Sequence, residues 1–155
     1  MKFSTREDVE APIDAVFAML CDFESFERAA MRRGADVRRV DRLDEPGIGM
    51  QWHAVFELRG KRREMQVEMV QFDRPNEMVV HSTSPGLTGE MRFELIALSR
   101  SRTRIRVELE IKPKNLSARL FVQSLKLAKS SLTKKYKLRV AGYATTMEER
   151  YLKQA

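Results

Sequence analysis

The apolar positions of this 155-residue chain change their spacing twice. Residues 2–10 alternate weakly and predict a first strand, ended by Ala11-Pro12. Ile13, Val16, Phe17 and Leu20 then recur at helical spacing. Pro12 suits a helix start, because the amide hydrogen it lacks would have no partner there. Asp22 is placed to cap a second short helix with Phe23, Phe26, Ala30 and Met31 on its buried side, and Gly34 to end it.

After Gly34 the period becomes two. Val37 to Val40 starts a strand, and Asp44-Glu45-Pro46-Gly47 turns the chain. Met50, Trp52, Ala54, Phe56 and Leu58 then alternate with polar residues, Arg59-Gly60-Lys61 turns, and Met65, Val67 and Met69 continue the apolar face. Further strands follow at Met78–Ser84, around Met91, Phe93, Leu95 and Ala97, and at Ile105, Val107, Leu109 and Ile111. Together they predict a six-strand antiparallel meander with one apolar face between residues 36 and 111.

Pro113 ends the last strand and Asn115 is a capping residue. Phe121, Leu125, Ala128, Leu132, Tyr136, Val140, Tyr143 and Met147 advance by threes and fours, predicting one helix from about Leu116 to Tyr151. Such a helix would span about 52 Å, against a diameter on the order of 40 Å for a compact domain of this length. It must overhang or bend, and Gly142 is the expected place.

Charge sharpens this picture. The chain is net +7, yet residues 1–111 hold 18 basic against 20 acidic residues. The excess comes from nine cations between Lys112 and Met147, a stretch without Asp or Glu. A basic helix face is either solvated or meets an anion. Lys126, Lys134 and Lys137 project away from the apolar stripe, which fits weak association with an anionic membrane. Lys61-Arg62-Arg63, at a hairpin tip, adds a second basic cluster. Nucleic acid is a poor partner, because the aromatics lie on the opposite, inward stripe. Leu120, Leu127 and Leu138 flank that stripe and either widen it or form a dimer patch, leaving monomer and homodimer both open.

A chain of this length is expected to form one domain over residues 1–155. Cys21 is alone, so no internal disulfide forms, and no apolar run is long enough for a signal peptide or a membrane span. A cytoplasmic protein is the expectation.

The order strand, two short helices, meander, long helix, with the opening run Val9 to Phe17 and Thr103-Arg104-Ile105-Arg106-Val107 leading into Pro113, resembles the START/Bet v 1-like (SRPBCC, polyketide cyclase-type) superfamily along essentially the whole chain. The resemblance implies an α+β helix-grip fold, in which a curved sheet of six to seven strands wraps a long C-terminal helix and leaves a hydrophobic cavity. It implies binding of a small hydrophobic or amphipathic ligand such as a lipid, quinone or polyketide. The alternatives are a cyclase- or aromatase-type enzyme using that cavity and a protein-interaction module. The family has no universal catalytic motif, so no catalytic residue carries over.

Candidate lining residues are Trp52, Phe56, Met65, Met69, Phe93 and Val107 from the sheet, and Leu132, Tyr136 and Tyr143 from the helix; each competes with simple core packing. Met65, Met69 and Met91 suit a deformable wall. Arg139 falls near Phe121, Ala128 and Leu132, inside the apolar stripe, and would anchor an acidic ligand by a bidentate contact, unless its head reaches water. Tyr136 and Tyr143 are acid–base candidates for a cyclase. His53 is expected on the outer face, while the facing of His81 stays open. Two histidines and one cysteine without ligand spacing argue against a metal, and no cofactor is expected. Neither a Gly-x-Ser-x-Gly elbow nor a phosphate-cradling glycine loop is present.

Overall fold

The computed structural model describes residues 1–154. Strand β1 (Lys2–Val9) leads into helices α1 (Ile13–Leu20) and α2 (Phe23–Arg32). The meander follows as β2 (Asp36–Arg39), β3 (Gln51–Leu58), β4 (Lys61–Asp73), β5 (Glu77–Ser84), β6 (Leu87–Ser99) and β7 (Arg102–Pro113). Helices α3 (Leu116–Leu127) and α4 (Lys129–Gln154) end the chain. The seven strands form one antiparallel sheet in the order β1-β7-β6-β5-β4-β3-β2, so β1 closes against the last strand rather than against its sequence neighbour. This is the helix-grip architecture.

Local chemistry accounts for most of these boundaries. The Asp22 carboxylate accepts from Ser25 N, and the Asn115 side chain accepts from Ala118 N, so both helix starts are capped as the residue types suggest. Arg59-Gly60 forms a two-residue hairpin turn with φ of +53 and +74, the left-handed pair that matches strand twist. A register shift between Met69 and Gln71 in β4 reverses the alternation, so Met69 and Phe72 both face the core although three positions apart. At the start of β7, the buried Thr103 hydroxyl donates to Ala11 O at 2.8 Å, tying that strand to the turn before α1.

The C-terminal helix differs from the sequence expectation. It does not bend at Gly142, which lies inside the unbroken α4 with open space where a side chain would stand. It breaks at Ala128, whose N–H bonds back three residues to Leu125 O while its carbonyl starts α4 by accepting from Leu132 N. The break shortens the straight run to 26 residues, about 39 Å, which fits the domain. Along α4, Tyr136, Val140, Ala144, Met147 and Tyr151 face the core. Phe3 of β1 meets Tyr136 with ring centroids 5.6 Å apart.

Candidate functional site: a cavity under α3

Each strand from β3 to β7 is divided crosswise. In one half the inward positions are packed solid. Trp52, Met69, Ile105 and Val107 are buried there with Phe17, Met50 and Met147, and Phe93 packs against them. In the other half, beneath α3, the same face borders a cavity of about 830 Å³. Its walls are Phe56 of β3, Met65 and Val67 of β4, Val80 and Ser82 of β5, Met91 of β6, and Leu109 and Ile111 of β7. Phe121 and Leu125 of α3 form the roof.

Small residues account for part of the space. Ser82 and Ser84 line the wall where Met78 and Val80 stand further back along β5. Gly89 pairs with Ser82 across β5 and β6. A Cβ on Gly89 would stand 2.4 Å from Ser82 Oγ, so its hydrogen leaves room for the hydroxyl.

The roof is held at two points. The Lys114 N–H donates to Gly86 O at 2.7 Å, joining the start of α3 to the β5–β6 turn. Gly86, at φ +87, suits this close approach, since a Cβ there would lie a tight 3.3 Å from that of Ala118. At the hairpin tip, the Arg59 and Arg63 guanidiniums stand 5.3 and 4.7 Å from the centroid of the Phe121 ring. Arg59 Nη1 also donates to Ser124 Oγ at 2.6 Å. Cation–ring contacts of this exposed kind contribute roughly 0.5–1 kcal/mol each. Lys61 and Arg62 complete a basic rim, with Arg62 paired to Glu64 at 3.2 Å.

The sequence candidates therefore separate. Phe56 and Met65 line the cavity. Trp52, Met69, Phe93 and Val107 belong to the packed half. Leu132 is half-buried on the first turns of α4. Tyr136 packs on the core, and its hydroxyl donates to Val107 O at 2.7 Å; burial, helped by the Glu108 charge, pushes its pKa up to about 12. Tyr143, 36% exposed, packs against Phe26 at 5.4 Å. Arg139 lies on the exposed flank of α4, outside the cavity lining. His81 is exposed, with Nε2 3.1 Å from Glu90 Oε2, which places its ring on the outer face.

The residues not foreseen are Val67, Val80, Ser82, Ser84, Leu87, Gly89, Leu109, Ile111, Phe121 and Leu125. Among them Ser82, Ser84 and Gly89 carry a readable signal, as small residues on adjacent strands, while most of the apolar ones lie on the inward faces that the alternation and the helical stripe mark.

No protein-family model matches the chain, and no curated protein matches it significantly in sequence. Solved structures match its shape. A protein from Thermus thermophilus aligns over 100% of this chain and 99% of its own, with TM-score 0.67 and 17% identity. The Zhui aromatase/cyclase from a Streptomyces species aligns over 98% and 95%, with TM-score 0.65 and 13% identity. A START superfamily protein from Mycobacterium smegmatis aligns over 86% and 95%, with TM-score 0.55 and 15% identity. At these identities the likeness establishes the fold and leaves the chemistry to the residues. The chain has the helix-grip fold of START/Bet v 1-like proteins.

Proposed function

We propose that the protein binds a small hydrophobic or amphipathic molecule, of the lipid, quinone or polyketide class, in the cavity under α3. The observation that carries this reading is a roughly 830 Å³ space whose walls are mainly Phe, Met, Leu, Ile and Val. Its size falls in the range of small-molecule sites, and apolar walls with a few polar groups are their usual composition. Ser82 and Ser84 offer hydroxyls inside, and Lys61 and Arg62 offer charge at the rim. An amphipathic guest would meet apolar surface first and polar groups at defined points. Of the two acid–base candidates, Tyr136 and Tyr143, neither is in the lining, and the Tyr136 proton is engaged by a core carbonyl. The binding reading draws on neither.

Native mass spectrometry of gently purified protein, followed by titration with palmitic acid and with a short-tailed quinone, tests the proposal. A co-purified small mass, or saturable uptake of either probe at one site, is expected. An empty protein that takes up neither probe overturns it.

A further inference from the structure

Helix α3 is apolar on two opposite sides. Its inner side, with Phe121 and Leu125, roofs the cavity. Its outer side carries Leu116, Leu120 and Leu127, which are 73%, 60% and 91% exposed. Their spacing of four and seven puts them in one row, and that row points directly away from the buried Ala118 and Val122. Single exposed leucines are ordinary, but an aligned row on one short helix is a patch. Around it stand Lys114, Arg119, Lys126 and Lys129, all exposed and without an ion pair among the described residues. No Asp or Glu interrupts the helix.

We propose that α3, the roof of the cavity, docks onto an anionic lipid surface through its outer side. The three leucines enter the boundary between headgroups and acyl chains, and the flanking cations meet the headgroups. Charge decides among occupants. A second copy related by a twofold axis would bring the same cations face to face. An acidic protein would match the charge but would need a groove shaped for a convex ridge of leucines. A bilayer accepts such a ridge without a preformed groove, as it does for amphipathic helices with basic flanks. The basic hairpin tip, joined to α3 through Arg59 and Ser124, adds cations beside the same patch. The docking itself does not depend on what the cavity holds, although it gives the proposed ligand a short path to and from a membrane.

Co-sedimentation of the full chain with phosphatidylcholine vesicles, with and without phosphatidylserine, tests this. Binding is expected only with phosphatidylserine and should fall as salt rises. The double substitution Leu120→Ser/Leu127→Ser should weaken it about tenfold or more, and Lys126→Glu should weaken it as well. Because these side chains are exposed, circular dichroism and thermal melting should be unchanged. Absence of vesicle binding overturns the proposal, and so does binding that survives the leucine substitutions, which would be plain electrostatic adsorption. Concentration-dependent dimerisation lost in the leucine variant, without vesicle binding, assigns the patch to a second copy instead. Palmitic acid uptake measured on the same variant separates the two readings: docking lost with uptake retained leaves the cavity intact.

Discussion

The two halves of the sheet's inward face share strands, twist and register, yet one is solid and the other hollow. The solid half meets three helices. Phe17 of α1 packs edge-on to Phe72 at 5.3 Å, Phe23 of α2 lies 5.4 Å from Trp52, and α4 adds Ala144 and Met147. The hollow half meets only α3, whose inward row is Ala118, Phe121, Val122 and Leu125. Large aromatic side chains from two sides fill one half. Serine, glycine and a single short helix leave space in the other. The same backbone thus acts as a rigid base at one end and a container at the other, and the break at Ala128 marks where the covering helices divide between them.

The sharpest way to break this comparison is truncation on each side. Phe17 has no exposed surface. Phe17→Ala should cost about 3–5 kcal/mol and lower the Tm accordingly. Phe56→Ala, in the cavity wall, should cost under about 1.5 kcal/mol, because part of its surface already borders space. Equal losses in thermal or urea unfolding would mean that the hollow half is packed in solution.

The solid half also depends on an electrostatic tie. Asp41, just after β2, accepts two bonds from Arg39 and one each from the Gln51 and Leu43 backbone N–H groups, at 2.8–3.0 Å. The Arg39 guanidinium and those amides hold its carboxyl well below the usual carboxylate range. A depressed folded-state pKa gives stability that is fully present above the ordinary value of 3.8 and is lost as pH falls below it. Asp41→Asn should cost about 1–3 kcal/mol at neutral pH and flatten the acid limb of a Tm–pH curve. An unchanged acid limb would show that the β2–β3 connection is held by other contacts.

The fold was legible because it is written in periodicity. The change from helical spacing to alternation after Gly34 and back after Pro113 located the strands and the helical segments. The site was less legible because lining and packing residues share one apolar face. Met65 and Met69 sit on the same strand and face, and only the structure shows that Met65 borders space while Met69 is core. What separates them is what stands opposite, a property of tertiary packing that a single strand does not encode. The break at Ala128 was hidden for a similar reason: alanine and lysine favour helices, so no glycine or proline marks the interruption. Ser82, Ser84 and Gly89 were the readable clue, since small residues on adjacent strands subtract volume at one place.

Filling that place tests the hollow half directly. Ser82→Phe adds an aromatic ring toward the cavity, in space that a packed core would not offer. Palmitic acid or quinone uptake should weaken by about tenfold, equivalent to about 1.4 kcal/mol, while the Tm should shift little. If the variant unfolds instead, there is too little room at Ser82, and the cavity is smaller in solution.

The smallest expected effect lies at the seam between the halves. Tyr136 is half-buried on the inner side of α4, and its hydroxyl donates to Val107 O, the last buried position of β7 before the cavity-lining Leu109. Removing the hydroxyl with Tyr136→Phe keeps the ring against Phe3 and should cost about 1 kcal/mol. The folded-state pKa is raised from 10.0 to about 12, so the phenol contributes stability that is fully present below pH 10 and lost as pH rises through 12. The phenylalanine variant should lack that part of the alkaline loss, read as a shallower Tm decline above pH 10. Ligand uptake should stay unchanged, because the hydroxyl points at core backbone rather than into the cavity. A Tyr136→Phe protein of unchanged stability with impaired uptake would move the seam toward α4 and extend the container into what is here the base.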